Sequence, residues 1–224
     1  VRIINFLFIS LLAVLLQACS TQSLSSEDHD ALAAEIRAMA QDDQRLDQLV
    51  VRSDPETRET GFFKKKEQLQ RERTARAREI FELVGFPTAP AFDASASSDF
   101  WLLVQHSDND PAFQQRVLEA IDKLPDGTVS LSERAYLVDR VRINTHRPQR
   151  FGTQTAYDFE QARAFPKALE DPKRVDDRRA SQGLEPLWEY MNALSELNYS
   201  MNKKLYESKG ITRPWRYPDG YSDW

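Results

Sequence analysis

The chain has 224 residues, room for one domain with a substantial core or two small ones, and only 7 glycines, few for the tight turns of a sandwich or barrel. Ala, Leu, Glu, Arg and Gln are abundant, which predicts a mainly α protein, an irregular helical bundle in a single domain. With 35 acidic against 30 basic residues the formal charge is −5, and phosphate contacts require a concentrated basic face, so nucleic acid is not expected as a partner.

Residues 1–18 read as a secretory leader: basic Arg2, then an apolar run from Ile3 to Leu16, too short and too weakly flanked for a membrane span. Leu16-Gln17-Ala18-Cys19 resembles the bacterial lipobox. The resemblance implies cleavage before Cys19, lipid on its thiol and amine, and attachment to a membrane. Cys19 is the only cysteine. It therefore has no partner for an internal disulfide, and a free thiol is unexpected in an oxidising compartment. Ser20, rather than Asp, after the cysteine resembles the pattern sorted to the outer membrane, which implies a lipid-anchored envelope protein facing the periplasm. Acyl chains at about 0.8 kcal/mol per buried CH2 anchor a protein without a spanning helix. Residues 19–26 then form the lipidated cysteine and a flexible Ser/Gln/Thr tether, followed by a helical domain over 27–209 and an aromatic tail over 210–224.

From Glu27 to about Val50, Leu32, Ile36, Met39, Leu46 and Leu49 recur at helical spacing, with Ser26 placed to cap. Arg52 to Thr60 is a polar loop. A second helix is predicted over Phe62 to Val84, its charged middle a solvated face, stopped by Gly85 with Pro87 beyond. Ala89 to Ser98 reads as a small-residue loop, after which Ser97, Ser98 or Asp99 can cap a helix from Phe100 to about Ser107. Asp110-Pro111 restarts a helix to about Lys123, and Ser130-Leu131-Ser132-Glu133, at capping-box spacing, opens another. Residues 147–154 lack a period and contain Gly152, so they form an ordered loop or a short hairpin. A short helix over Val175 to Gln182 precedes a long one from Glu185-Pro186 to about Lys209, with Leu187, Tyr190, Met191, Leu194, Leu197, Met201 and Leu205 facing the core. The tail, with Trp215, Tyr217, Tyr221 and Trp224, is of the kind that packs over a groove.

Four blocks stand out in order: Gly85-Phe86-Pro87; Trp101-Leu102-Leu103-Val104-Gln105-His106-Ser107-Asp108; Tyr136-Leu137-Val138-Asp139-Arg140-Val141; and Pro148-Gln149-Arg150-Phe151-Gly152-Thr153-Gln154. On these, over roughly Asp43 to Tyr190, the chain resembles a bacterial family known as domain of unknown function 6624. Ser107, Asn144 and Phe151 depart mildly from that family's usual forms, and the resemblance implies no activity.

The polar residues of these blocks are the candidate site. In the functional reading His106, oriented by Asp108 or Asp139, is a general base or acid; Gln105, Arg140, Gln149, Thr153 and Gln154 bind, with Arg140 on an anionic group. In the structural reading the same groups tie a corner to a loop: His106 donates to a carbonyl, Asp139 pairs with an arginine, and the glutamines satisfy loop backbone. A metal set of His106, Asp108 and Asp110 is weak: the stretch from Asp108 superficially resembles a calcium loop but has Phe113 where the turn needs glycine, and no second His stands at ligand spacing. No metal or cofactor is therefore expected. Two functions remain: a binding or interaction module with a polar cleft for an envelope ligand or protein, and a hydrolase-like enzyme using His106 with a carboxylate on an envelope glycan or peptide. An enzyme requires His106 bonded to a carboxylate with water access; a buried, fully satisfied imidazole excludes one.

Overall fold

The computed structural model describes residues 24–52 and 54–224, so the expected leader, Cys19 and the tether through residue 23 lie outside the described residues. The fold is mainly α. Helix α1 (Ser26–Val51) begins at a capping box in which Ser25, one residue earlier than expected, exchanges hydrogen bonds with Asp28. Its buried positions Leu32, Ala33, Ile36, Ala40, Asp43 and Leu46 follow the three-to-four spacing of one helix face, with a carboxylate in the apolar stripe. Helix α2 (Phe62–Val84) ends at Gly85 (φ 72°) as expected.

Helix α3 (Ala94–Gln105) starts earlier than the sequence suggests. Asp93 caps it by accepting from the Ala96 N–H at 2.8 Å, so Ser97, Ser98 and Asp99 lie inside the helix and not at its start. Helices α4 (Pro111–Ile121) and α5 (Leu131–Asn144) begin at Asp110 and Ser130, as their local chemistry demands. The face α3 presents to α1 is the most extensive helix contact, and α4 lies against α5. Ile36, Ile80, Phe100, Val104, Phe113, Val117 and Leu137 fill the core between these five helices.

Residues 147–154 take the loop alternative. The hairpin comes just after it, with β1 (Thr155–Asp158) antiparallel to β2 (Arg163–Pro166) in the register Thr155 to Pro166. Helix α6 (Val175–Ala180) is shorter than predicted. The expected long last helix is two, α7 (Leu187–Met201) and α8 (Lys203–Ser208), broken at Asn202, whose side chain donates to the Asn198 carbonyl at 3.0 Å. Leu187 and Met191 are buried, but Leu197, Met201 and Leu205 face outward, a correction to the predicted stripe. Polar residues hold the inner face instead. Ser195 accepts from the Ala164 N–H of β2 at 2.9 Å, and Asn192 pairs with the backbone of Tyr217 at 2.7 and 3.0 Å. The tail packs as expected: Tyr217 is buried, donates to the Ala164 carbonyl at 2.9 Å, and is covered by Tyr221 and Trp224. These residues, with Val175, Leu187 and Met191, form a second core.

Candidate functional site

His106 is the residue that ends α3. Its backbone has left helical geometry (φ −89°, ψ 2°), its N–H closes on the Leu102 carbonyl, and its own carbonyl accepts from the Gln70 side chain of α2. This fixes the imidazole in the angle between α1, α2 and α3. Nδ1 lies 2.5 Å from Asp43 Oδ2 and 3.9 Å from Asp47 Oδ2, both on α1. Asp43 is buried, whereas the His106 and Asp47 side chains are 25% and 37% exposed, so the centre is closed on its inner side and open on its outer one. No residue among those described bonds Nε2, and that atom is not among the buried unpaired ones, so it meets solvent.

Two cations from α2 hold the far oxygens. Arg73 places its guanidinium 3.0 Å from Asp43 Oδ1 and 2.9 Å from Asp42, and Lys66 Nζ is 2.7 Å from Asp47 Oδ1. Burial alone would raise the Asp43 carboxyl, but the hydrogen bond and charge of His106, with Arg73 and Lys66 behind, hold it below the ordinary carboxylate range. Lys66 also walls a cavity of about 290 Å³ lined by Asp42, Arg45, Glu56, Phe62 and Lys65. A more apolar cavity of about 340 Å³, among Phe86, Phe92, Trp101 and Val129, shares no lining residue with the His106 centre.

The expected partners of His106 are elsewhere. Asp108 accepts from Arg140 at 3.0 Å and Asn144 at 2.8 Å, and Arg140 also donates to Gln105 Oε1 at 3.1 Å. These four form a seam between the end of α3 and α5, with Gln105 Nε2 buried and unpaired. Asp110 caps α4 and pairs with Arg78 at 2.7 Å, so the set His106, Asp108 and Asp110 does not gather.

Asp139 is fully buried and belongs to the 147–154 loop, not to His106. It accepts from the N–H groups of Arg150 (2.7 Å), Phe151 (3.1 Å) and Thr153 (3.0 Å) and from the Thr153 hydroxyl (3.0 Å). Burial pushes its carboxyl above the ordinary value, against those donors. Its expected arginine partner is thus replaced by loop backbone. Gln149, wholly buried, donates to the Gln154 and Lys167 carbonyls at 2.8 and 2.9 Å and accepts from the Gln154 N–H at 2.8 Å. Gln154 donates to the Thr153 hydroxyl at 3.1 Å. Arg179, also fully buried, donates to the Phe151 and Glu185 carbonyls and lies over the Tyr190 ring. Gln149 thus satisfies loop backbone as the structural reading expects, whereas the Gln154 side chain reaches the Thr153 hydroxyl and Asp139 holds the loop without an arginine.

Asp43, Asp47, Lys66 and Arg73 were missed by sequence reasoning. One signal was available for Asp43: it stands three residues after Ala40 and three before Leu46, within the apolar face of α1.

A family model described as a family of unknown function (DUF6624) matches residues 30–204, a span that contains every residue of the His106 centre. No curated protein and no solved structure matches the chain.

Proposed function

Because the chain belongs to the family of unknown function DUF6624, we propose its activity from its own geometry: hydrolysis of an envelope glycan or peptide, with His106 as the proton-transfer group, by a protein held to the bacterial envelope through lipid on Cys19. One observation carries this reading. The inner nitrogen of His106 rests on a buried carboxylate at 2.5 Å while the outer nitrogen meets solvent. A carboxylate in that position fixes the ring's tautomer and orientation and stabilises the imidazolium that forms when Nε2 takes a proton. A charged cavity walled by Lys66, the residue that also holds Asp47, offers a place for part of a substrate chain. The anchor is supported by the lipobox-like Leu16-Gln17-Ala18-Cys19 and by the absence of a second cysteine to explain the first.

The test uses the full chain, with purified peptidoglycan sacculi as substrate and soluble fragment release as readout. Wild type is expected to release fragments, and His106→Gln to lose activity by about 10²- to 10⁴-fold, the usual worth of a general acid or base. Release that is absent in wild type, or unchanged in a folded His106→Gln variant, overturns the enzyme reading and leaves the polar centre as a binding module. Labelled palmitate incorporated by wild type but not by Cys19→Ser tests the anchor in the same cells.

A further inference from the structure

We propose that Asp43, Asp47 and His106 form a binding site for one divalent transition-metal ion of the zinc or manganese type. The inference concerns the same centre but gives His106 another role: with an ion on Nδ1 the ring is a ligand and not the proton acceptor.

The three groups converge from two helices, Asp43 buried and Asp47 and His106 half-buried. Asp43 and Asp47 stand one turn apart on α1, and the end of α3 delivers the imidazole between them. One ligand atom from each lies within 4.8 Å of the others. The oxygens divide their work in the same way on both carboxylates. Asp43 turns Oδ1 to Arg73 and Oδ2 to His106; Asp47 turns Oδ1 to Lys66 and Oδ2 to His106. Outer partners that hold the far atom of each ligand are what fixes a metal-binding carboxylate in its orientation.

Distances fit an ion entering between them. Ligand atoms about 2.1 Å from a tetrahedral ion lie about 3.4 Å apart. The Nδ1 to Oδ2 separations of 2.5 Å for Asp43 and 3.9 Å for Asp47 fall on either side of that value. An ion therefore requires the first pair to open by about 1 Å and the second to close by about half that, within the freedom of side-chain torsions. The proton between Nδ1 and Asp43 is displaced on binding and the neutral ring carries its hydrogen on Nε2, so the proton-holding and metal-holding forms are alternatives at one site.

The donor set selects the ion. An imidazole with two carboxylates suits zinc or manganese, whereas magnesium and calcium favour all-oxygen sets and copper(I) favours sulfur. Charge permits it as well: three carboxylates (Asp42, Asp43, Asp47) surround two cations (Lys66, Arg73), leaving the locality at −1 with neutral His106. With three protein ligands and a partly exposed outer side, the site leaves a position for water or substrate, where such an ion supplies a Lewis acid.

The full chain, stripped with a chelator, is titrated with Zn²⁺ and separately with Mn²⁺ by calorimetry, and with Co²⁺ by visible absorption. One ion per chain is expected. His106→Gln and Asp47→Asn should each weaken it at least tenfold; Asp47 is partly exposed, so the thermal midpoint of Asp47→Asn verifies that its fold is intact. No saturable binding near one equivalent, or wild-type affinity in a folded Asp47→Asn variant, overturns the site. The two proposals fail separately. Sacculus hydrolysis that persists in chelator with no stoichiometric binding refutes the metal and keeps the enzyme. One tightly bound ion with no hydrolysis supports the metal site alone.

Discussion

Replacing Asp139 by Ala tests whether that carboxylate is structural. The change removes the acceptor for four hydrogen bonds while leaving every donor in place. Arg150 is exposed, so its N–H can turn to water, and the Thr153 hydroxyl can rotate toward another acceptor. The N–H groups of Phe151 and Thr153 have neither escape, because both residues are about 95% buried. A buried donor without an acceptor costs about 1–3 kcal/mol, so the two together give about 2–6 kcal/mol. Set against a total stability of about 5–15 kcal/mol, the midpoints of the two ranges make that about 40% of what holds a domain folded. The loss is not confined to the loop, since Phe151 also receives the buried Arg179 guanidinium at 2.7 Å. Urea unfolding followed by circular dichroism measures it. With a slope of about 2 kcal/mol/M the midpoint should fall by about 1–3 M at unchanged slope. A fall of less than about 0.5 M would refute the clamp, and loss of sacculus hydrolysis in such a stable variant would return Asp139 to the catalytic role expected from sequence.

Gly152→Ala should destabilise by about 2–5 kcal/mol, combining a left-handed backbone with overpacking. Gly152 has φ +71°, and a Cβ there would lie 2.7 Å from Cδ1 of fully buried Leu187. A change under about 1 kcal/mol in thermal unfolding would show that Leu187 yields freely. Glu35 receives the Arg76 guanidinium at 2.6 and 2.9 Å, and this bond holds its carboxyl below the ordinary value of 4.5 despite some burial. Its folded value is therefore the lower one: the stability it contributes is present above pH 4.5 and lost as pH falls through that lower value. Against Glu35→Gln, wild type should gain at most about 1 kcal/mol at neutral pH, because the pair is partly exposed, and the gap should close in acid. A gap that widens on acidification contradicts the sign.

Most helix ends were legible because their determinants are local. The Ser130 and Glu133 box, Asp110-Pro111 and Gly85 each act within one turn. Where two caps were available locally, tertiary contact decided: Asp93 also binds Arg37 of α1 at 2.8 Å, and α3 starts there rather than at Ser97, Ser98 or Asp99. The last helix misled for a different reason. Leu197, Met201 and Leu205 have the spacing of a buried face, but β2 and the tail present unpaired backbone groups to α7, and Asn192 and Ser195 are the residues that satisfy them. Satisfying those groups outweighed burying three more aliphatic side chains.

The same distinction sorts the candidate site. Asp139 finds its donors 11 to 14 residues along the chain, so a carboxylate just before an irregular, glycine-containing loop is legible as that loop's anchor. His106 and Asp43 are 63 residues apart, and Asp43 and Arg73 are 30 apart. No periodicity relates them, and a lone acid within an apolar stripe is indistinguishable from an interruption until a second helix supplies its counter-charge. That is also why the carboxylate expected beside His106 is not the one found there. Being next to the buried Leu103-Val104-Gln105 run placed His106 at the rim of the core, which local pattern can show. Which carboxylate met it there was set by the packing of α1 against α3, and the polar groups closer in sequence were already committed to holding the loop and the seam between α3 and α5. The nitrogen left over after those commitments, Nε2, is the one that meets solvent.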